Sequence, residues 1–524
     1  MNRPGISSIA NGARSVPATL LLSFLVVVFA WSATCRAERP NIVLIMADDM
    51  GLGDISYHAE KFQQKKPIVQ TPAMDGLARD GMWFSDAHSA TSLCSPTRYC
   101  VMSGNMNYRS YAPWGVWGSF RKSPFEKGRA TLGTVASSAG YKTGFIGKWH
   151  LGGDFLDSKS GEIYRNNKRK FKTATVDLTK MVGGGPSSVG FGYDFTIPCG
   201  IQGPIYAAYE NNKWFPLADD SKIIFLDRES AIDPKFVSDK GPGLGDSAWD
   251  TREIGKLLSG KAVDFIDRNS DSPFFLYYCS PYVHIPHCVT DDFDGKKIAG
   301  ATPSNHLDAL VDLDCQVARI VNKLKEKGLY DNTLIILTSD NGGLGQRKSI
   351  KAGHDPSGGW RGFKNSPHEG GHRVPFVVTW KQQETAGKTC DQTVINQDVV
   401  ATMADLLDVS LDENDAMDSL NLLPLITGQG EFQPREYLMM QAGSKHEAMF
   451  RKGPWKLILQ SNHKVTKFEP IALFNLESNA KEKEAQNLVD DSGYAERVKQ
   501  MTAEYLEIRE SGRRTTPALS AATK

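Results

Sequence analysis

Several short apolar runs along the chain stop abruptly at polar, chemically capable side chains. "NIVLIMADD" (41–49) ends in Asp48 and Asp49, and "YKTGFIGKWH" (141–150) in Lys148 and His150. "PFFLYYCSPYVHIPH" (273–287) runs out into His284, and "TLIILTSDNGG" (333–343) into Asp340 and Asn341. Runs apolar on both faces suit strands covered by helices on both sides. "HLDALVDLDCQVARIVNKLKEKGLY" (306–330) places Leu310, Leu313, Val317, Ile320, Val321 and Leu324 at helical spacing, with Gly328 as a stop signal. The strand-like "TLIIL" follows, which makes half of a βαβ unit. The pattern predicts an α/β fold with a large, mainly parallel mixed sheet sandwiched by helices. Ligands bind beyond the carboxyl ends of such strands, so the four polar endings are expected to converge.

The pattern changes near residue 430. "REYLMMQA", "EAMFRKGPWKLILQ" and "IALFNLES" read as a small antiparallel sheet with a hairpin around "KGPW". "DSGYAERVKQMTAEYLEIRE" (491–510) reads as a closing helix. The expected division is an α/β domain over 38–430, an antiparallel-sheet subdomain over 431–511 and a disordered tail over 512–524. The Gly-, Lys- and Pro-rich stretch 155–250 shows no legible element pattern. At the N-terminus, Arg3 and Arg14 precede "ATLLLSFLVVVFAW" (18–31), too short for a comfortable membrane span, and "SATCRA" offers small residues for cleavage after Ala37. Residues 1–37 therefore read as a signal peptide, the rival being an uncleaved anchor. No later stretch is long and apolar enough to span, so no stable membrane insertion is expected. The implied location is secreted or periplasmic, or lysosomal or extracellular in a eukaryote.

A chain of 524 residues exceeds the size at which a single core stops growing, which favours a large domain plus a smaller one. A formal net charge of +1 gives no bulk attraction to nucleic acid, so any anion binding needs a local site. Cys35 falls in the leader; Cys100, Cys199, Cys279, Cys288, Cys315 and Cys390 allow too many pairings to assign. No C-x-x-C occurs, which argues against a zinc ribbon. Cys94, in "SLCSPTRYCVMSG" (92–104), is open to three readings: half of a disulfide, a metal ligand, or the centre of the chemistry. Pro96 suits an early helical turn and Gly104 a stop, so a short helix would hold Cys94 at its positive end. Arg98, four residues on, shares that face. Backbone N–H groups, the helix dipole and a guanidinium would converge there, an anion-binding geometry.

A bare C-x-P-x-R is weak evidence; its company is not. "CSPTR", "GKWHLG", "PNIVLIMADDMGLGD", "LTSDNGG" and "WRGFKNSPHEGGHRVP" together, in this order, resemble the formylglycine-dependent sulfatase family of the alkaline-phosphatase-like superfamily, over roughly residues 39 to 510. The resemblance implies a secreted sulfuric ester hydrolase acting on sulfated carbohydrate or a small sulfate ester, with aryl sulfates as surrogates. Cys94 would be oxidised to formylglycine by a formylglycine-generating enzyme. Its hydrate would attack sulfur, form a covalent sulfate and release it by collapse to the aldehyde. Asp48, Asp49, Asp340 and Asn341, with residue 94, would bind a divalent cation. An all-oxygen shell suits Ca2+, with Mg2+ second. Arg98, Lys148 and Lys364 would grip sulfate oxygens, and His150 and His284 would move protons. Phe363 and Asn365 flank Lys364 where the family pattern differs, which bears on substrate choice.

Two other functions compete. One is a phosphonate or phosphate ester hydrolase of the same superfamily: the cysteine at 94 speaks against the related phosphatases, which use Ser or Thr, whereas phosphonate-ester hydrolases can share the formylglycine signature, so relative rates on matched sulfate and phosphonate esters discriminate. The other is a non-enzymatic glycan-binding relative, which would be expected to have lost some of these residues. "HEGGH" (368–372) matches H-E-x-x-H, but two adjacent glycines argue against the helix a zinc protease needs. His368 or His372 is expected at most to line the substrate pocket.

Overall fold

The computed structural model describes residues 1, 5, 39–165, 172, 174–233, 241–443 and 446–519. The chain divides at Arg39/Pro40, and the fold belongs to Pro40–Lys524. The predicted signal peptide lies outside the described residues apart from Met1 and Gly5.

Ten strands form the main sheet: β1 (Asn41–Ala47), β2 (Met82–Phe84), β3 (Lys142–Lys148), β4 (Tyr193–Ile197), β5 (Ala208–Glu210), β6 (Lys213–Phe215), β7 (Phe274–Cys279), β8 (Thr333–Ser339), β9 (Phe376–Thr379) and β10 (Lys388–Cys390). Their spatial order is β10-β2-β9-β8-β1-β7-β3-β4-β5-β6. The central five, β8-β1-β7-β3-β4, run parallel, and antiparallel pairs flank them. The register pairs Ala47 with Ser339, Met46 with Cys279 and Cys279 with Gly147. Asp340, Asp48 and Lys148 therefore fall at the same end of β8, β1 and β3, with β7 between the last two.

All seven residues of β1 are buried because both faces are covered. Ile42, Leu44 and Met46 face one hydrophobic cluster, Val43, Ile45 and Ala47 the other. This is the period-2 alternation of a strand. On the second face pack α1 (Pro72–Asp80), α4 (Ile254–Arg268) and α5 (Asn305–Glu326). All six apolar positions predicted for α5 are buried, and Gly328 closes it at φ +69°. On the first face pack α2 (Cys94–Ser103), α3 (Leu132–Ser138) and α6 (Val399–Leu406).

The C-terminal sheet is antiparallel: β11 (Tyr437–Gln441), β12 (Glu447–Lys452), β13 (Trp455–Ser461) and β14 (Phe468–Asn475), in that order. Lys452 pairs with Trp455 across the Gly453–Pro454 turn, as predicted. With α7 (Ala495–Glu510) it joins the first-face cluster: Leu438, Phe450, Leu457 and Tyr505 share one core with Ile42 and Leu44. Residues 512–519, expected as the start of a disordered tail, instead lie on the 413–419 loop. Arg514 Nη1 donates to the Ala416 carbonyl (3.1 Å) and Thr515 N to that of Met417 (3.0 Å), so the tail satisfies carbonyls the loop leaves open. The described residues of 155–250, unplaced from sequence, supply β4 and the two strands beyond it, β5 and β6, with β6 at the edge, and short two-stranded ribbons. Cys94 is a buried free thiol, so its disulfide reading falls away.

Candidate active site

Cys94 is the first residue of α2 and is buried. No side chain caps this helix end, so its first N–H groups remain available at the site. Gly104 ends the helix at φ +68°. Arg98, one turn on, places Nε and Nη2 3.1 and 2.8 Å from Asp340 Oδ2, and donates Nη1 to the Lys148 carbonyl at 3.1 Å.

The strand edge supplies the rest. Lys148 Nζ lies 2.5 Å from Asp48 Oδ2. Asp49 accepts from Lys364 Nζ at Oδ1 (2.7 Å) and from Asn341 Nδ2 (2.8 Å). Its own N–H donates to Asp340 Oδ1 at 3.1 Å. Lys364 arrives on a loop docked at both ends of the site: its N–H bonds the Gly343 carbonyl, and the next, that of Asn365, bonds the Ser92 carbonyl. His150 turns back from β3 with φ +56°, and its Nδ1 lies 3.5 Å from Cys94 Sγ. Ser95 Oγ fixes this turn by donating to the His150 carbonyl at 2.8 Å. His284 bonds the Ile285 carbonyl through Nδ1 (2.5 Å) and leaves Nε2 3.8 Å from Asp49 Oδ2. Gly147 makes the β3 end possible. It sits at φ +118°, and a Cβ there would lie 1.9 Å from the Cys279 carbonyl oxygen.

Three carboxylates thus face three cationic side chains in a buried cluster, and the formal charges balance. Burial opposes ionisation of Asp48, but Lys148 and Arg98 outweigh it and hold its carboxyl well below the usual range. Burial and the Asp48 charge push Asp340 up to about 7. Burial, then Lys148 and Arg98, hold His150 well below an ordinary imidazole; burial, then Lys364 and Lys148, do the same to His284. Burial pushes the Cys94 thiol up despite the lysines, so an unmodified thiol stays protonated and weakly nucleophilic.

Two buried oxygens, Asp48 Oδ1 and Asn341 Oδ1, have no hydrogen-bond partner. Orphaned oxygens beside crowded carboxylates fit a hard divalent cation. Asp48, Cys94 and Asp340 bring ligand atoms within 4.8 Å of one another.

Every residue predicted for the site meets here. The site opens into a cavity of about 610 Å³ that Cys94, His150, His284 and Lys364 line. Sequence reasoning missed Ser95, Arg121 and Gln202. Ser95 sits inside the recognised "CSPTR", but nothing in the sequence pointed to the other two. Arg121 and Gln202 line the same cavity, and Gln202 Oε1 is buried without a partner.

In the "HEGGH" segment Glu369–His372 is only a single helical turn and His368 precedes it in extended backbone, so the two histidines do not share one helical face. The pocket expectation is corrected. Neither histidine lines the cavity: His368 Nδ1 faces Glu482 at 3.2 Å, and buried His372 contacts His88 (2.9 Å) and Lys456 (3.2 Å). The turn points them away because Lys456 draws Glu369 and Glu482 toward the C-terminal sheet.

A family model described as Sulfatase matches residues 40–409. An N-acetylgalactosamine-6-O-sulfatase of Bacteroides thetaiotaomicron is 30% identical over 461 residues, 82% of this chain and 84% of that one. A steryl-sulfatase of Rattus norvegicus is 29% identical over 76% of this chain and 72% of its own. A solved structure from work on glycosaminoglycan metabolism by Bacteroides thetaiotaomicron, labelled a 6S-sulfatase, superposes with a TM-score of 0.74 at 26% identity, covering 90% of this chain and 100% of that one.

Proposed function

This chain belongs to the sulfatase family and is a sulfuric ester hydrolase, and from that premise we propose that it desulfates carbohydrate through formylglycine at residue 94. The observation that carries this reading is the placement of residue 94 at a helix N-terminus, between His150 and a cluster of cations balanced by carboxylates. Oxidised residue 94 would supply a hydroxyl nucleophile, and a divalent ion, Ca2+ before Mg2+, would add positive charge.

Asp48, Asp49, Asp340 and Asn341 would hold that ion. Without it the cluster is neutral; with it, Arg98, Lys148 and Lys364 are in excess and attract a sulfate ester. Neutral His150 accepts a proton from residue 94, and His284 Nε2 delivers one to the leaving oxygen. Burial favours the neutral imidazole needed for the first task. For the second, the arriving anion offsets Lys364 and lets His284 take up a proton.

The carbohydrate assignment rests on the 30% relative, and Arg121 and Gln202 on the cavity wall offer hydrogen-bonding partners for sugar hydroxyls. A steryl or aryl sulfate is the second reading, favoured by the steryl-sulfatase relative. Release of sulfate from defined 6-sulfated amino sugars, compared with steryl sulfate and a matched phosphonate ester, distinguishes the three. Mass spectrometry of the peptide containing residue 94 should show an aldehyde in active protein. Activity with thiol alone at this position overturns the mechanism. Secretion rests on residues 1–37, and loss of export on their deletion tests it.

A further inference from the structure

Behind the active site lies a second group of metal-binding side chains. Asp54, His306 and His354 bring ligand atoms within 4.8 Å of one another, and all three are buried. Asp54 follows β1 by seven residues, His306 opens α5, and His354 lies on the loop after β8. Asp54 Oδ2 is anchored by the Gly51 N–H at 2.7 Å, which leaves Oδ1 directed at His354 Nε2, 2.6 Å away.

His306 is the telling residue. Its Nδ1 is engaged by Ser349 Oγ at 3.1 Å, while its Nε2 is buried with no partner, in a residue only 2% exposed. A ring that donates one nitrogen to an outer oxygen and keeps the other free is the arrangement of a metal-ligating histidine. An unmet ring nitrogen is otherwise costly to bury.

The other buried His-carboxylate cluster behaves differently. At His88, Glu369 and His372, Lys456 and Arg373 already supply the positive charge. Among the described residues, the ion pair made by Asp54 is with His354, and no lysine or arginine joins it. An access route exists as well. His306 and Ser349 line a cavity of about 530 Å³ that shares Ile285 with the active-site cavity.

We propose that Asp54, His306 and His354 form a second metal site, selective for Zn2+ and distinct from the carboxylate site. Two imidazoles and one carboxylate are a zinc donor set, whereas calcium takes oxygen. Three protein ligands would leave one tetrahedral position for a water or an anion. The ion would tie the loop after β1, which also carries Asp49, to α5 and to the loop after β8.

The test uses tag-free, metal-stripped protein carrying Asp340→Ala, which disables the carboxylate site, titrated with Co2+ and competed with Zn2+. One equivalent should bind with the intense visible absorption of a four-coordinate ion. Adding His306→Gln or His354→Gln should weaken uptake at least ~100-fold, and Ser349→Ala by ~10–100-fold, as loss of an outer partner does. Zn2+ should raise the melting temperature of the Asp340→Ala protein and not of the Asp340→Ala/His306→Gln protein. Should those variants not fold, X-ray absorption at the metal edge of the Ca2+-saturated parent decides between an imidazole-containing and an all-oxygen shell. No uptake, unchanged uptake in both histidine variants, or an all-oxygen shell overturns the proposal.

Discussion

Replacing His284 by alanine should expose how the leaving group departs. His284 is only 6% exposed, and its Nδ1 bonds the Ile285 carbonyl at 2.5 Å, so Nε2 is the nitrogen left to exchange a proton with substrate. Burial, Lys364 and Lys148 keep the ring neutral in the free enzyme. In the proposed mechanism a bound sulfate ester offsets those lysines, and the ring then becomes a proton donor. General acid help of this kind contributes ~10²–10⁴-fold, or about 3–5 kcal/mol at 1.36 kcal/mol per decade. A sugar hydroxyl is a poor leaving group and draws on all of it; a nitrophenolate leaves almost unaided. His284→Ala should therefore lower kcat/KM by ~10²–10⁴ on a sulfated sugar and by under about tenfold on nitrophenyl sulfate. The assay is the ratio of the two losses, measured by sulfate release in the same preparation. His150→Ala should instead slow both substrates and leave sulfate attached to residue 94, visible as added mass. His287→Ala, three residues away, should be much milder, since its Nε2 bonds only the Val283 carbonyl among the contacts found. Equal losses on both substrates for His284→Ala and His150→Ala, with no mass retained, would refute this division of labour.

Asp340→Ala should lower divalent-cation content and sulfatase activity together, as read by elemental analysis and sulfate release; full activity after demonstrated cation removal contradicts the metal assignment. Gly147→Ala should cost more than the ~1–3 kcal/mol of a strained backbone, because the new Cβ meets the Cys279 carbonyl at 1.9 Å and displaces the strand end bearing Lys148; urea denaturation and activity should fall together. Asp312, buried in α5, is pushed up to about 7 from 3.8 by desolvation. The folded protein therefore holds a proton that the unfolded chain has released, so this group's stabilisation is full below about pH 4 and lost as pH rises to about 7, by up to ~4 kcal/mol. Asp312→Asn removes the loss, so melting curves should show the variant gaining on the parent between pH 4 and pH 8; parallel pH profiles would contradict it.

The main strands, the long helix and most of the candidate site residues were legible in the sequence. Apolar runs such as 41–47 are buried on both faces, so their hydrophobicity is continuous, and each must end where polar residues return to the surface or to a site. Asp48, Lys148, His284 and Asp340 were legible for that reason, and Cys94 and Lys364 because they sit in recognisable motifs. Tertiary structure decided what is paired with what. Only the register of β1, β7 and β3 makes Asp48 a neighbour of Lys148, and only the packing of α2 on the sheet makes Asp340 a neighbour of Arg98. Arg121 and Gln202 come from irregular segments with no periodicity to read, and the fold alone brings them to the cavity. The inward turn of His372 likewise depends on Lys456 from the C-terminal sheet, a residue 84 positions away. Local pattern records how each segment meets solvent; long-range packing sets the distances between charges, and those distances fix protonation and chemistry.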